Sequence, residues 1–353
     1  MKLAGKTILI TGGTGSLGKT LTRRILTNEM GKPKKIIIFS RDEAKQHDMR
    51  LAYKNRTVAT DEIIYHNFEE LVEFRIGDVR DFHSVASAVK DADIVFNTAA
   101  LKQVPSCEYF PYEAVQTNIT GPENIVRAIR ENRLPVETVV GISTDKACKP
   151  VNVMGMTKAI QERVFITANL SCPNTRFICV RYGNVLASRG SVIPLFHSQI
   201  KAGGPITITT EDMTRFLLSL NDAVDVIFAG VRHASRGETY IPRVPSARVI
   251  DIANILIGDR GISTKIMGIR PGEKIHEILI SDEESYRTVD REKYYAIKAI
   301  LPEIASNPSE SIALSKEYSS ADSVMEYESL AELLSRQKLL LSDTFKLDDE
   351  LLR

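Results

Sequence analysis

The feature of this sequence that most restricts its fold is a glycine-rich turn near its start. The stretch TGGTGSLG, residues 11–18, places Gly12, Gly15 and Gly18 at GxxGxxG spacing, between the apolar run KTILIT and an amphipathic segment that begins LGKTLTRRIL. In such a strand–turn–helix unit the first glycine permits a tight turn and the second lets the backbone approach a pyrophosphate. The third glycine lets the helix pack closely on the strand. The turn therefore predicts a dinucleotide site at the N-terminus of a helix.

Further apolar runs rich in β-branched residues recur along the first half of the chain. They span residues 36–40, 72–78, 93–100, 138–144 and 176–184. Helix-like stretches such as HSVASAVKD and AVQTNITGPENIVRAIREN lie between them. Because parallel strands need crossover helices that cover the sheet, this alternation predicts an α/β fold with a Rossmann-type, doubly wound parallel sheet.

Turn signals become frequent after the last of these runs, which indicates a change of organisation. We expect a Rossmann domain over residues 1–184, a smaller substrate-binding lobe over 185–281 and a C-terminal extension over 282–353. Within the lobe, MTRFLLSLNDAVDVIFAGVRH predicts one amphipathic helix over residues 213–233. Within the extension, ESLAELLSRQKLLLSDTF predicts another.

The composition excludes several classes of partner. The 353 residues carry 46 Lys and Arg against 45 Asp and Glu, a net charge of +1, so we expect neither a nucleic-acid nor a membrane-surface partner. No run approaches the roughly 20 apolar residues of a membrane span, and no secretory leader is visible, which favours a cytoplasmic enzyme. The four cysteines and six histidines have no metal-ligand spacing, so we expect no metal.

The end of the second predicted strand bears on the choice of cofactor. An NAD site usually places a carboxylate there for the ribose 2′-hydroxyl, whereas this chain reads FSRDE, with Ser40 and Arg41 in place and Lys45 one turn later. A guanidinium suits a 2′-phosphate, so we favour NADP. Asp42 and Glu43 lie close enough to keep NAD open.

The stretch STDKACKPVNVMGMTK, residues 143–158, holds the candidate chemistry. Asp145 and Lys146 form an adjacent acid and amine at a strand end, where open α/β sheets place their ligands. Met154 precedes Lys158 by four residues, at the place where short-chain dehydrogenases carry a catalytic tyrosine. A thioether cannot move a proton, so any enzyme built on this chain needs other groups.

These motifs together resemble a known family. They are TGGTGSLG, FSRDE, GDVRD, AALKQVPSCEYFP, TNITG, STDKACKPVNVMGMTK, RYGNVLASRGSVIPLF, MTRF and GIRPGEKIHEILI. Over about residues 5–280 the chain resembles the bacterial UDP-N-acetylglucosamine 4,6-dehydratases of the extended short-chain dehydrogenase/reductase superfamily, in particular the C5-inverting branch of capsule and O-antigen synthesis. That branch also has methionine in place of the tyrosine.

The resemblance implies a reaction and roles for the motif residues. Such enzymes oxidise C4 of the sugar, eliminate water across C5 and C6, and return the hydride to C6. By resemblance, Lys146 is the C5 base, neutral when desolvated, and Asp145 is the acid toward the C6 hydroxyl, with a raised pKa. The acceptor of the C4 hydroxyl proton stays open among Lys158, Thr144, Lys146 and a water molecule, and Lys158 is also expected to bind the nicotinamide ribose.

The resemblance also implies contacts with cofactor and substrate. The expected cofactor contacts are Gly12, Thr14, Gly15, Ser16, Leu17, Gly18, Ser40, Arg41, Lys45, Asp78, Val79, Ala99 and Lys158. Asp78 meets the adenine edge on this interpretation, or else caps the following helix. The expected substrate contacts are Lys102, on the sugar or a phosphate, and Asn184, Arg189, Arg215, Arg270 and Glu273, on the uracil, ribose and diphosphate; the alternative for each cation is bracing of a loop.

The substrate implied is UDP-N-acetylglucosamine, although the arginines would also suit a GDP-linked sugar, and the assembly expected by analogy is a homo-oligomer. Two other functions stay open. A UDP-sugar 4-epimerase would use the C4 hydride step without elimination, and the adjacent Asp145 and Lys146 argue against it. A non-catalytic NADP-binding regulator would need neither that pair nor a cluster of arginines.

Overall fold

The computed structural model describes residues 2–55, 62–186, 191–305 and 310–341. The strands are β1 Thr7–Thr11, β2 Lys35–Ser40, β3 Val72–Ile76, β4 Ile94–Asn97, β5 Thr138–Thr144, β6 Arg176–Tyr182, β7 Ile206–Ile208, β8 Thr214–Phe216, β9 Thr239–Pro242, β10 Ser246–Arg248, β11 Thr264–Ile266, β12 Ile278–Ile280, β13 Thr288–Arg291, β14 Tyr294–Ile297 and β15 Tyr318–Ser319. The α-helices are α1 Ser16–Leu26, α2 Glu43–Lys54, α3 Glu62–Leu71, α4 Phe82–Val89, α5 Val104–Tyr109, α6 Pro111–Val115, α7 Gly121–Asn132, α8 Val153–Ser171, α9 Val192–Lys201, α10 Leu220–His233, α11 Val249–Ile257, α12 Asp282–Ser285 and α13 Tyr327–Arg336. A π-helical turn, Gln116–Thr120, joins α6 to α7, and a 3-10 turn, Asp145–Ala147, follows β5.

The central sheet has the order β3-β2-β1-β4-β5-β6-β9-β14-β13 among the described residues. Its strands are parallel from β3 to β9, and β14 and β13 close the edge antiparallel. This confirms the predicted Rossmann-type parallel sheet. The order reverses between β1 and β4, and ligands of such sheets bind at the carboxyl ends beside that switch point.

Both faces of the central strands are covered, which explains why a strand such as β1 is buried along its whole length. On one face, Ile8 and Ile10 of β1 pack with residues of α1 and α10, whereas the intervening Leu9 packs on the other face with residues of α4, α7 and α8. Successive side chains of a strand point to opposite faces, so the run TILIT feeds two separate cores.

The predicted division of the chain at residues 184 and 281 does not coincide with an edge of the sheet. Strand β9 comes from the predicted lobe, and β13 and β14 come from the predicted extension, yet all three complete the central sheet. The extension also contributes Leu330 and Leu334 of α13 to a core formed with α9 and α11. The domain boundaries stay predictions.

Two predicted helices are corrected by the structure. The helix predicted over 213–233 is wrong at its start, because Thr214–Phe216 forms β8, which pairs antiparallel with β10. Helix α10 begins only at Leu220, after a capping box made by Ser219 and Asp222. The helix predicted from ESLAELLSRQKLLLSDTF ends at Arg336, and the last four residues of that stretch lie outside the described ranges.

Two kinds of feature are absent from the described residues: membrane-spanning helices and metal-binding clusters of side chains. None of their helices combines the length and the apolar character needed to cross a lipid bilayer. Within the same ranges, no three or more His, Cys, Asp or Glu side chains are grouped in a way that would hold a metal ion.

Candidate active site

The carboxyl ends of the parallel strands open into a cleft of about 1980 Å³. Every predicted site residue within the described ranges lines this cleft; Arg189 lies outside those ranges. The predicted residues that line the cleft are Gly12, Thr14, Gly15, Ser16, Leu17, Gly18, Ser40, Arg41, Lys45, Asp78, Val79, Ala99, Lys102, Thr144, Asp145, Lys146, Met154, Lys158, Asn184, Arg215, Arg270 and Glu273. The fold thus gathers them at one edge of the sheet, while their individual roles stay predictions.

The glycine-rich turn has the geometry of a dinucleotide-binding loop. Gly12 has φ 66°, and a Cβ there would lie 2.7 Å from the Cα of Ala99, so only glycine fits. A Cβ on Gly18 would lie 2.5 Å from the Cα of Gly13, which explains the close approach of α1 to the turn. Gly15 precedes α1 and makes no side-chain cap, so the first backbone N–H groups of the helix are available for an anion. These features fit the pyrophosphate of a dinucleotide.

The end of β2 presents a cation to the same cleft. Asp42 caps α2 by accepting the backbone N–H of Lys45 at 3.0 Å, and its other oxygen lies 2.6 Å from Lys45 Nζ. Ser40 Oγ accepts a hydrogen bond from Gln46 Nε2 at 3.0 Å. The Arg41 guanidinium is 61% exposed, with its nearest carboxylate partner, Asp78, 3.9 Å away. Asp42 and Lys45 are therefore engaged with each other, whereas Arg41 stays largely exposed; contacts of Arg41 and Lys45 with a cofactor stay predictions.

The structure excludes one of the two interpretations of Asp78. The cap of α4 is Asp81, which accepts the backbone N–H of Ser84 at 2.8 Å. Asp78 instead accepts from Arg80, through Nε at 3.0 Å and the backbone N–H at 3.0 Å. Sequence reasoning missed Arg80, because no pattern in the sequence indicates that it contacts Asp78; only the folded loop brings the two side chains together. Asp78 stays a predicted cofactor contact.

The centre of the cleft holds a cluster of buried charges. Asp145, in the 3-10 turn after β5, is fully buried, and its Oδ1 accepts from Thr144 Oγ1 at 2.8 Å and from Lys146 Nζ at 3.0 Å. Lys146 Nζ also lies 3.1 Å from Oε1 of Glu277, which is 3% exposed. Glu277 is not among the site residues predicted from the sequence. The stretch GIRPGEKIHEILI contains it, but no local pattern indicates a contact with Lys146.

Burial and neighbouring charges set the protonation of this cluster. Burial raises the pKa of Asp145 by more than the Lys146 ammonium lowers it, as expected of an acid. Burial would lower the pKa of Lys146, but the Asp145 and Glu277 carboxylates outweigh burial and raise it. The expectation that desolvation leaves this amine neutral is therefore wrong for the resting protein. Burial would likewise raise the pKa of Glu277, but Lys146 and Arg215 lower it.

Helix α8 brings Met154 and Lys158 to the same cleft. Met154 is 6% exposed and packs with Cys107 and Ala114, so its side chain is a packing residue. Lys158 Nζ donates to the Ile142 carbonyl and, at 2.6 Å, to Gln161 Oε1. Burial lowers the pKa of Lys158 to about 8. An amine with this pKa exchanges a proton near neutral pH.

Arg215, one of the predicted substrate residues, already makes hydrogen bonds within the protein. The Arg215 guanidinium donates to the carbonyls of Thr214 at 2.7 Å, Ile275 at 3.0 Å and Lys274 at 3.0 Å, so it braces the segment that carries Glu277. The structure thus shows the bracing alternative for Arg215, and its contact with a diphosphate stays a prediction.

Two further predicted substrate residues, Arg270 and Asn184, leave polar atoms for a ligand. Arg270 is 58% exposed and lies 4.0 Å from Glu273. Asn184 Oδ1 is buried and has no hydrogen-bond partner among the described residues. Lys102 follows Leu101, whose backbone N–H and carbonyl are both held by the side chain of Asn118. Sequence reasoning missed Asn118, which lies in the π-helical turn.

Comparisons with known proteins agree with this architecture. Residues 8–299 match the model of a family described as polysaccharide biosynthesis protein. A UDP-N-acetylglucosamine 4,6-dehydratase (inverting) of Campylobacter jejuni subsp. jejuni serotype O:23/36 is 44% identical over 296 residues, which cover 83% of each chain. A protein of Rickettsia bellii named UDP-glucose 4-epimerase is 45% identical over 297 residues, 83% of this chain and 82% of the relative.

A solved structure is similar over almost the whole chain. The X-ray structure of Pen from Bacillus thuringiensis has a TM-score of 0.84 and 34% sequence identity, and the match covers 96% of this chain and 100% of that chain. The family match and the Campylobacter relative confirm the resemblance drawn from the motifs.

Proposed function

The chain belongs to the polysaccharide biosynthesis protein family, and we propose that it is an NADP-dependent 4,6-dehydratase that converts UDP-N-acetylglucosamine to a 4-keto-6-deoxy sugar nucleotide with inversion at C5. The observation that carries the proposal is the contact between Asp145 and Lys146 at the end of β5, in the cleft beside the glycine-rich turn. Elimination across C5 and C6 requires a general acid and a general base, and this pair would supply both.

NADP would be held by the glycine-rich turn and by Arg41. When bound, the cofactor would accept the hydride from C4 and return it to C6. The exposed guanidinium of Arg41 suits a 2′-phosphate, because a planar fork makes paired, charge-assisted hydrogen bonds. Asp42 caps α2 and is paired with Lys45, which leaves it poorly available to a 2′-hydroxyl and weakens the case for NAD.

One proton transfer would convert the resting pair into its reactive form. The Lys146 ammonium donates to Asp145 Oδ1 over 3.0 Å, and movement of that proton yields a neutral amine beside a carboxylic acid. The C4 ketone acidifies C5–H, so Lys146 takes the C5 proton while Asp145 protonates the C6 hydroxyl. The C5–H and C6–O bonds break, a C5–C6 double bond forms, and water leaves. Each group then has the charge that it has in the resting protein.

Lys146 also completes the reaction at C5. After the elimination it carries the proton that C5 must regain when the hydride reaches C6, and delivery to the opposite face of the sugar inverts C5. For the C4 hydroxyl proton we propose Lys158, because burial lowers the pKa of its amine to about 8 and it lines the same cleft. Thr144, which donates to Asp145, is the weaker candidate.

The second candidate function is a UDP-sugar 4-epimerase, favoured by the similarity to the Rickettsia protein of that name. An epimerase oxidises and reduces C4 and needs no acid at C6, so the buried Asp145 with a raised pKa would have no task. We therefore rank the dehydratase first. Service in the synthesis of capsule or O-antigen and assembly as a homo-oligomer belong to the same proposal.

The decisive experiment incubates the purified protein with UDP-N-acetylglucosamine in deuterated water and identifies the product by NMR. A 4-keto-6-deoxy product with deuterium at C5 and an altered C5 coupling would support the proposal. Formation of UDP-N-acetylgalactosamine would identify an epimerase, and an unchanged sugar would eliminate both enzymes.

The base assignment has its own test. Lys146→Ala should abolish elimination and leave NADP binding intact, because Lys146 is not among the predicted cofactor contacts. Lys149→Ala is the matched control, since Lys149 pairs with Asp282 and Glu317 and is absent from the lining of the cleft. Near-normal turnover by Lys146→Ala would refute the assignment.

A further inference from the structure

A second buried carboxylate holds the amine of Lys146. Glu277 immediately precedes β12, and its backbone N–H donates to Ser320 Oγ at 2.9 Å, which fixes the start of its side chain. Oε1 lies 3.1 Å from Lys146 Nζ, which also lies 3.0 Å from Asp145 Oδ1. Oε2 is buried and has no hydrogen-bond partner among the described residues. Glu277 lines the cleft.

The cluster of Lys146, Asp145 and Glu277 differs from the buried ion pairs that Arg181 makes elsewhere in the protein. Arg181 is 2% exposed and bonds both oxygens of Glu162 and both oxygens of Glu284, at 2.6 to 3.0 Å. None of these three residues lines the cleft. Around Lys146, by contrast, neither Asp145 Oδ2 nor Glu277 Oε2 has a hydrogen-bond partner in the described part of the chain, although an unsatisfied buried carboxylate oxygen costs stability. A purely structural role does not explain that cost, whereas contact with a substrate does.

Glu277 keeps cationic neighbours throughout the proposed proton transfer. Arg215 Nε lies 4.0 Å from Glu277 Oε1, and Lys274, whose Nζ donates to the Cys148 carbonyl at 2.6 Å, adds a second positive charge nearby. When Lys146 passes its proton to Asp145, Glu277 and Arg215 remain a neutral pair. When Lys146 takes the C5 proton, the Glu277 carboxylate is already in place beside the new ammonium.

We propose that Glu277 is a positioning residue that holds Lys146 Nζ at C5 and stabilises the ammonium formed when Lys146 takes the C5 proton. This inference rests on the proposed dehydratase function and assigns to its base a partner outside the STDK motif. It also explains the bracing by Arg215, because its two hydrogen bonds to the carbonyls of Ile275 and Lys274 hold the backbone that carries Glu277.

The test replaces the carboxylate by an amide of the same shape. Glu277→Gln should lower kcat about tenfold to a hundredfold, as a displaced catalytic group does. Without this carboxylate the pKa of Lys146 falls. The alkaline limb of kcat/KM, where the shared proton of Lys146 and Asp145 is lost, should therefore move to lower pH by at least about one unit. Single-turnover C5 deuteration should slow, while oxidation at C4 should keep its rate.

Controls distinguish this role from a general loss of structure. Glu238→Gln is the matched control, because Glu238 is buried like Glu277, at 2% against 3% exposed, and is paired with an arginine, Arg291, but does not line the cleft. It should leave the pH profile unchanged. Glu277→Asp keeps the charge but shortens the reach, so kcat should fall while the alkaline limb stays in place; this variant decides the matter if Glu277→Gln does not fold.

The outcomes are separable from those of the proposed function. If the wild-type protein makes no 4-keto-6-deoxy product, the dehydratase proposal fails. If it makes that product but Glu277→Gln retains the wild-type pH profile and C5 deuteration rate, the dehydratase stands and the role of Glu277 is overturned. Equal slowing of C4 oxidation and C5 deuteration would also overturn it.

Discussion

A single methyl group added to α8 should disable the site without touching a charged side chain. Gly155 lies in the first turn of α8, which Asn152 caps by accepting the Gly155 backbone N–H at 2.8 Å. A Cβ on Gly155 would lie 2.1 Å from the carbonyl oxygen of Lys146. Since real Cβ atoms keep at least 3.0 Å from such neighbours, Gly155→Ala must separate the two by the difference, about 0.9 Å.

That displacement moves either Lys146 or the helix that carries Lys158. A misplacement of about 1 Å costs about a hundredfold in rate, so kcat for elimination should fall by about that factor. Overpacking costs about 1–3 kcal/mol, and the better helix propensity of alanine returns about 1 kcal/mol. The free energy of unfolding should therefore fall by no more than about 2 kcal/mol, and the protein should stay folded.

The assay combines turnover of UDP-N-acetylglucosamine, NADP binding by calorimetry and urea unfolding. The matched control is Gly230→Ala in α10, where the new Cβ would meet only the tips of side chains, the nearest being Val180 Cγ2 at 3.3 Å. Gly230→Ala should keep wild-type turnover. If Gly155→Ala also keeps wild-type turnover while remaining folded, the placement of Lys146 against α8 is wrong.

Three further predictions concern the cofactor, the C4 proton and stability. Arg41→Ala should weaken NADP binding about tenfold to a hundredfold, the worth of a hydrogen bond to a charged group, and change NAD binding little; calorimetry with both cofactors checks this, and equal losses would contradict it. Because burial lowers the pKa of Lys158 to about 8, C4 oxidation should speed up as pH rises through about 8 and its amine becomes neutral; Lys158→Met should abolish this rise, followed by the absorbance of reduced NADP in a single turnover. Arg181→Met should lower the free energy of unfolding by about 3–5 kcal/mol in urea at neutral pH, because it leaves the Glu162 and Glu284 carboxylates buried without their cation. Burial would raise the pKa of Glu284, but Arg181 outweighs burial and holds this pKa at about 2, below its ordinary value of 4.5. The stability that Glu284 contributes is therefore full above about pH 4.5 and lost as the pH falls toward 2. The same pH-dependent loss of stability in Arg181→Met would contradict this account.

Much of the fold and of the site is predictable because it depends on local patterns. The spacing of Gly12, Gly15 and Gly18 between a strand and a helix marks the turn, and continuous apolar runs mark the strands that are buried on both faces. Asp145 and Lys146 follow a strand directly, and parallel strands open their carboxyl ends at one edge. The cofactor loop and this pair therefore fall in one cleft, as the sequence predicts.

The errors arise where distant contacts decide. Apolar residues continue from MTRF into the following helix, so their periodicity predicts one long helix. Pairing of β8 with β10 extends the first part instead. A local signal for the true start was present in Ser219 and Asp222, the capping box. The sheet partners of β9, β13 and β14 had no local signal, because strand pairing depends on segments far apart in the chain.

The sequence alone determined the Rossmann-type unit, the dinucleotide loop and the acid–amine pair, because each is encoded by residues that are neighbours in the chain. Tertiary structure alone decided the charge state of Lys146. Burial pushes the pKa of that amine down, and the Asp145 and Glu277 carboxylates, which the fold places beside it, outweigh burial and raise the pKa. Such shifts arise from charges a few ångströms apart in a medium from which water is excluded, and sequence reveals neither the distance nor the burial.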